Sequence, residues 1–319
     1  MPKPLPADTW DNLYYPPPDY RYFENSDQFD FEPNAPGFSW KNAWWLAEAS
    51  LLAYVKKQTW AEIKGILAAA RFADAQQIGA DPTKSTKGFI ASRSGPAPFA
   101  VVAFRGTDKD DPRNLETDMD VFPAERDGYI VHRGFSLALD QVWDSEVAPA
   151  LAAFLDLHPG APVYFTGHSL GAALATISVT RFPGANCSLY TIGSPLVGDD
   201  RFVAAVRQKA ANAFRFVNCE DIVTQIPRPV PYKHIDTEIY INRAGAILVD
   251  PSAADKFLDA SAGALEHDGA AAIIDIVHPA RLISLAEEPG PLPDPPPFLV
   301  GNHTPARYAI RIWNYYSGL

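Results

Sequence analysis

The chain has 319 residues, 47 % of them hydrophobic and 20 % charged, with a formal net charge of −11. That composition suits a globular fold with a sizeable core. The acidic balance argues against a nucleic-acid partner, whose phosphates need basic surface, and against tight adsorption to anionic membranes.

The first residues, MPKPLPADTW, lack the apolar stretch of a signal peptide. No segment reaches the ~18 consecutive apolar residues of a spanning helix. The expectation is a cytoplasmic address by default, compatible also with secretion, and no integral membrane segment. Residues 1–38 read as an acidic, aromatic arm punctuated by Pro16, Pro17 and Pro18, a run that cannot continue a helix.

Helical periodicity follows over 40–55 and 60–73, with Trp44, Trp45 and Tyr54 read as core. Strand-like runs at 88–92 and 99–104 flank SRSGPAP, turn chemistry that predicts an antiparallel hairpin. Then come a helix over 135–155, a strand at 163–166, a helix after Ser169, a strand at 188–192, a helix over 199–211 and a strand at 214–217. A hairpin around Asn242 and Gly245 is expected within 237–249, a helix over 269–286, and a stiff proline-rich connection at 289–297. Alternating strands and helices predict an α/β fold: a mostly parallel central sheet flanked by helices, with antiparallel hairpin additions. No repeat or composition shift divides the chain. One domain over 1–319 is expected, with 250–298 as a helical and proline-rich insertion. Cys187 and Cys219 fall at opposite ends of neighbouring strands. Five strand residues span roughly 16 Å, beyond the ~7 Å Cα limit of a disulfide, so both are expected reduced.

The stretch VYFTGHSLGAALATISV, residues 163–179, places a lone serine between a β-branched, aromatic run and an alanine-rich one. Gly-x-Ser-x-Gly alone is a weak signal. Here it sits where a buried strand turns sharply into a helix, a turn in which the backbone passes close to itself and needs Gly167 and Gly171. Ser169 then lies at a helix N-terminus, where unpaired N–H groups favour negative charge. An oxyanion formed there would meet the N–H of Leu170. The competing reading is a tight turn with a capping serine.

The chain resembles the class 3 (fungal-type) lipase family of α/β-hydrolases. The residues that carry this are FRGT (104–107), HRGF (132–135), GHSLGAALA (167–175), TIGSPLVGD (191–199) and FRFVNCEDIVTQIP (214–227), in the family's order. Weaker similarity extends to AEASLLAY (47–54) and NHTPARY (302–308). The resemblance implies an α/β-hydrolase fold and a serine carboxylester hydrolase (lipase or esterase) cleaving neutral acyl esters or acylglycerols. Phospholipid or feruloyl esters, or acyl transfer, are alternatives on the same machinery, and a non-catalytic binding module is a further one. No cofactor and no metal are implied, and the expected partner is a small-molecule or lipid ester.

The resemblance puts the second oxyanion donor on Thr107, with Gly106 turning the chain toward the site, and gives Asp118 a buttressing role in that loop. The acid is expected where a later strand ends, the edge at which open α/β sheets gather their sites. There the family's VN-x-x-D pattern falls on Asp221, with neighbouring Glu220 pointing differently and Asp236 and Asp250 as runners-up. The order Ser, Asp, His leaves His234, His267, His278 and His303 as bases. The family's terminal H-x-x-x-x-Y pattern falls on His303, with His278 as the alternative and His234 structural.

Leu196, Val197, Ile222, Val223, Ile226, Leu299 and Val300 flank these residues and are acyl-groove candidates. Residues 108–128, where interfacial lipases carry a lid, are charged, interrupted by Pro112, and lack the apolar stripe of a lipid-adsorbing helix. Soluble short- or medium-chain esters are therefore expected. The amphipathic stretch 270–288 is a rival cover.

Overall fold

The computed structural model describes residues 2–7, 9–16, 19–54, 59–107, 122–227, 231–235, 237–267 and 301–318. Its strands are β1 Asp74–Ile78, β2 Gly88–Arg93, β3 Phe99–Phe104, β4 Pro123–Arg126, β5 Tyr129–His132, β6 Val163–His168, β7 Cys187–Ile192, β8 Ala210–Asn218, β9 Glu238–Ile241 and β10 Ile247–Val249. Its α-helices are α1 Trp10–Tyr14, α2 Trp40–Leu52, α3 Trp60–Ala69, α4 Arg133–Asp140, α5 Ala148–Leu157, α6 Leu170–Arg181, α7 Asp200–Lys209, α8 Ala253–His267 and α9 Pro305–Ser317.

Eight strands form one sheet in the order β1-β2-β3-β6-β7-β8-β9-β10. The inner strands β3, β6, β7, β8 and β9 run parallel, and β1, β2 and β10 join antiparallel at the two edges. Strand periodicity divides the side chains between two cores. Phe99, Val101 and Ala103 of β3 pack with α2, α3 and α9, and Ala100, Val102 and Phe104 with α4 to α7. Trp44 and Trp45 are buried in the first core, as their periodicity predicts. The hairpins β2–β3 and β9–β10 fall where the turn chemistry places them. In the second, Gly245 takes φ +80° and its N–H donates to Asn242 O at 2.9 Å. Cys187 and Cys219 are buried and free.

Three local features differ from the expectation. The single helix over 135–155 is three pieces: α4, a π-helical turn Trp143–Val147, and α5. Pro149 near the start of α5 cannot donate to the carbonyl four residues back, and the wider turn lets Ala148 N–H donate to Trp143 O instead. Strand β1, DAQQI, has no apolar alternation because it is an edge strand with one fully buried residue, Ile78. The charged stretch before residue 128 ends in a hairpin, β4–β5, turned by Asp127 and Gly128 at φ +50° and +84°. That is the Asp-Gly signal of a two-residue turn. Residues 108–121, the helix expected over 269–286 and the proline-rich run at 289–297 lie outside the described residues. Within the expected insertion, α8 forms over Ala253–His267. Among the described residues no helix is long and apolar enough to cross a membrane.

Candidate active site

Strands β3, β6 and β8 deliver their C-terminal ends to one edge of the sheet, where the loops carrying Thr107, Ser169 and Asp221 leave it. Ser169 joins β6 to α6 with φ +60° and ψ −128°. Non-glycine residues rarely adopt that conformation, which costs on the order of 1–3 kcal/mol. Three glycines make the turn possible. A Cβ on Gly167 would collide with the backbone of Gly171 and Ala172, and one on Gly171 with that of Phe104 and Arg105. A Cβ on Gly106 would lie 2.9 Å from the Cβ of Ser169 and 2.5 Å from the carbonyl of His168. The end of β3, the serine turn and the start of α6 thus meet at contact distance. Ser169 is 3 % exposed and makes no capping hydrogen bond to its helix, so capping does not account for it. Leu170 opens α6, so its N–H lies in the first turn, where no intrahelical acceptor exists. Thr107 is half-buried and follows Gly106 directly.

Asp221 follows β8 and caps the short 3₁₀ turn Ile222–Gln225. It is 1 % exposed. Its Oδ1 accepts from Val223 N–H at 2.9 Å. Its Oδ2 faces His303 Nδ1 at 2.9 Å and accepts the Tyr308 hydroxyl at 2.6 Å. A carboxylate there puts the imidazole proton on Nδ1 and leaves the Nε2 lone pair free. Nε2 of His303 is buried and has no hydrogen-bond partner among the described residues. Gly193, at φ +58°, closes this corner: a Cβ would lie 2.9 Å from Asp221 Oδ2 and 3.2 Å from His303 Cε1.

The loop bearing His303 is held through its carbonyls. Asn218 Nδ2 donates to Asn302 O at 2.8 Å, Thr304 Oγ1 to Gly301 O at 2.9 Å, and His168 Nε2 to His303 O. Tyr308 lies one turn into α9 and also accepts from Asn218 N–H at 2.9 Å. Burial first, and then the charge and hydrogen bond of Asp221, raise the Tyr308 pKa well above 10, so it remains a donor. His168 is fully buried, and burial followed by the neighbouring His303 pushes its pKa well below the ordinary 6.5.

Glu220 turns away from the imidazole, with Oε2 3.3 Å from Arg243 Nη2 and 3.4 Å from Asn302 Nδ2. Asp250 accepts from Glu238 N–H at 2.6 Å. His234 Nε2 donates to Thr224 O at 2.6 Å, which steadies the turn behind Asp221. His267 ends α8. Asp118, Asp236 and His278 lie outside the described residues.

Of the acyl-groove candidates, Ile222, Val223 and Ile226 gather around Leu170 in an apolar cluster separate from the two cores. Leu196 is buried and donates its N–H to Ile226 O at 2.8 Å. Val197 packs instead into the core beneath α4 to α7, because its strand-like neighbour β5 draws it there through the bond from His132 N–H to Val197 O at 2.9 Å. Leu299 and Val300 lie outside the described residues. Sequence reasoning read Tyr54 only as core and gave no role to His168, Asn218 or Tyr308. His168 and Tyr308 stand inside the quoted patterns GHSLG and H-x-x-x-x-Y, so their signal was on the page without a partner to explain it.

The profile of the family Lipase (class 3) matches residues 101–230. The secreted mono- and diacylglycerol lipase 1 of Fusarium solani is 35 % identical over 115 residues, 35 % of this chain and 34 % of the relative. The secreted mono- and diacylglycerol lipase A of Penicillium cyclopium is 30 % identical over 159 residues, 48 % of this chain and 51 % of the relative. The chain thus spans between about a third and a half of the length of these relatives. The crystal structure of a lipase from Rhizopus microsporus var. chinensis is 28 % identical, covers 66 % of this chain and 76 % of its own, and superposes with a TM-score of 0.52. That of a mono- and diacylglycerol lipase from Aspergillus oryzae, 22 % identical, covers 67 % of this chain and 86 % of its own with a TM-score of 0.55, a likeness of fold. Residues 101–230 are thus similar to the class 3 lipase family, and the mostly parallel sheet around them is similar to that of the Rhizopus lipase.

Proposed function

We propose that the chain is a serine carboxylester hydrolase of neutral acyl esters, acylglycerols among them. The observation that carries this is the buried Nε2 of His303, unpaired among the described residues and oriented by Asp221, together with a serine held at a strained strand–helix turn. Ser169 Oγ attacks the ester carbonyl and its proton passes to His303 Nε2. Asp221 keeps the imidazole in its tautomer and balances the imidazolium. The Leu170 N–H and Thr107 hold the tetrahedral oxyanion. Collapse expels the alcohol, which takes the proton from His303 and leaves an acyl-serine. Water activated by the same histidine then releases the acid.

The substrate class rests on the names of the Fusarium and Penicillium relatives. The cluster of Ile222, Val223 and Ile226 beside Leu170 supports an apolar acyl partner. The same two names speak for secretion, and the cytoplasmic address has no support. Residues 1–38 belong to the one hydrolase domain in this reading, because Phe23 and Phe31 pack in its core.

The test is hydrolysis of p-nitrophenyl esters from acetate to palmitate by wild type, Ser169→Ala and His303→Ala. Both folded variants are expected to lose at least about three orders of magnitude. Wild type inert on every ester, or a fully active Ser169→Ala, contradicts the reading.

A further inference from the structure

We propose that Tyr54 and His168 form a positioning relay for the catalytic base, fixing the main chain of His303 and the oxyanion loop in one register. The relay rests on the hydrolase reading above and gives a role to two buried groups that the reaction itself does not use.

His168 directly precedes Ser169 and is fully buried. Its Nε2 bonds the carbonyl of His303, and its Nδ1 lies 2.7 Å from the Tyr54 hydroxyl. A carbonyl only accepts, so Nε2 carries the hydrogen. Nδ1 then presents a lone pair and accepts the Tyr54 O–H. Each partner fixes the other's hydrogen, and the ring has one orientation. Among the described residues the titratable groups with rings against His168 are His303 at 4.5 Å, Tyr54 at 5.5 Å and Tyr308 at 5.9 Å. Desolvation keeps His168 neutral, the one state in which both bonds exist.

The far end of the relay reaches the oxyanion side. The Tyr54 hydroxyl stands where a Cβ on Gly106 would be, against the residue that precedes Thr107. Tyr54 is itself fixed by the N-terminal arm. Tyr14 and Tyr15 form a buried cluster with it, and the Tyr14 ring meets the Tyr54 ring edge-on at 5.5 Å. The arm is tied to the helix that follows the base, with Lys3 N–H donating to Asn314 Oδ1 at 2.6 Å and Asn314 Nδ2 to Lys3 O at 2.8 Å. One line of contacts thus runs from the arm through Tyr54 and His168 to the backbone of the base. Displacing a reacting group by about 1 Å costs on the order of 10²-fold in rate, so the relay acts on turnover and leaves ester binding alone.

The experiment measures kcat and KM on p-nitrophenyl butyrate, with folding checked by circular dichroism, for wild type, Tyr54→Phe, His168→Phe and His168→Gln. Tyr54→Phe keeps the ring and loses only the donor, and kcat is expected to fall about fivefold, the worth of one hydrogen bond. His168→Phe loses both bonds, and kcat is expected to fall on the order of 10²-fold. His168→Gln restores an N–H near the Nε2 position and is expected to recover at least half of that loss on a logarithmic scale. KM stays within about twofold throughout. The relay is overturned if folded Tyr54→Phe and His168→Phe keep wild-type kcat, if only KM or melting temperature moves, or if His168→Gln is no better than His168→Phe. Should His168→Phe fail to fold, Tyr54→Phe decides alone. A wild type inert toward the ester and toward a p-nitrophenyl phosphonate removes the hydrolase reading and the relay with it, whereas active wild type with unaffected variants removes the relay only.

Discussion

Replacing Tyr308 by Phe deletes one oxygen at the centre of the site and leaves the ring in the core. Two hydrogen bonds go with it: the 2.6 Å bond donated to Asp221 Oδ2 and the 2.9 Å bond accepted from Asn218 N–H. A bond to a charged acceptor is worth about 1.5–3 kcal/mol, and a buried N–H left without a partner costs about 1–3 kcal/mol. Both belong to one network, so the losses overlap, and about 3 kcal/mol of stability is expected to go. Asp221 retains Val223 N–H and His303, so the dyad survives and turnover should fall only about tenfold with KM unchanged. Urea unfolding followed by tryptophan fluorescence at pH 7.5, beside kcat on p-nitrophenyl butyrate, reads both quantities. A variant within about 0.5 kcal/mol of wild type and equally fast would refute the assignment of Tyr308 as the hydroxyl that holds Asp221.

Gly171→Ala pushes a methyl into the backbone of Phe104 and Arg105. Backbone cannot swing aside, so a loss at the upper end of overpacking, about 3 kcal/mol, is expected in urea midpoints; a tolerated alanine would contradict the close approach. His168 has a folded pKa below its unfolded value of about 6.5. Its contribution is therefore full above pH 6.5 and is lost as pH falls below that toward the folded value. Urea unfolding at pH 7.5, 6 and 5 should show that loss, and His168→Gln a flatter profile; equal slopes would refute it. Val223→Phe fills the apolar cluster beside Leu170 and should lower the octanoate-to-acetate rate ratio about tenfold, within the range of hydrophobic pocket discrimination. An unchanged ratio would place the acyl chain elsewhere.

The inner strands were legible because each carries apolar and aromatic residues in a short run bounded by turns or helices, unbroken only in β3. The serine turn was legible because Gly167 and Gly171 bracket it in a context only a strand–helix junction explains. Asp221 and His303 are 82 positions apart, and nothing local links them. Their pairing came from motif order, and the 2.9 Å approach is a product of the tertiary fold. The same holds for Tyr54, 114 positions from the histidine it bonds; periodicity reads it as core, and burial alone was correct. Strand β1 escaped because edge strands need no apolar alternation. The β4–β5 hairpin escaped because its Asp-Gly turn stood in a charged segment weighed only as a lid. Val197 was misjudged because flanking a site residue in sequence does not say which side of the sheet edge a side chain enters.

The central claim is that Ser169 is the nucleophile that His303 and Asp221 activate. The most direct measurement is labelling of the intact protein with a p-nitrophenyl phosphonate, followed by mass spectrometry of its peptides. One adduct per chain, on Ser169, with p-nitrophenol released in equal amount and labelling greatly slowed in His303→Ala, is the predicted result. An ester-hydrolysing wild type that takes no label, or takes it on another residue, would contradict the account.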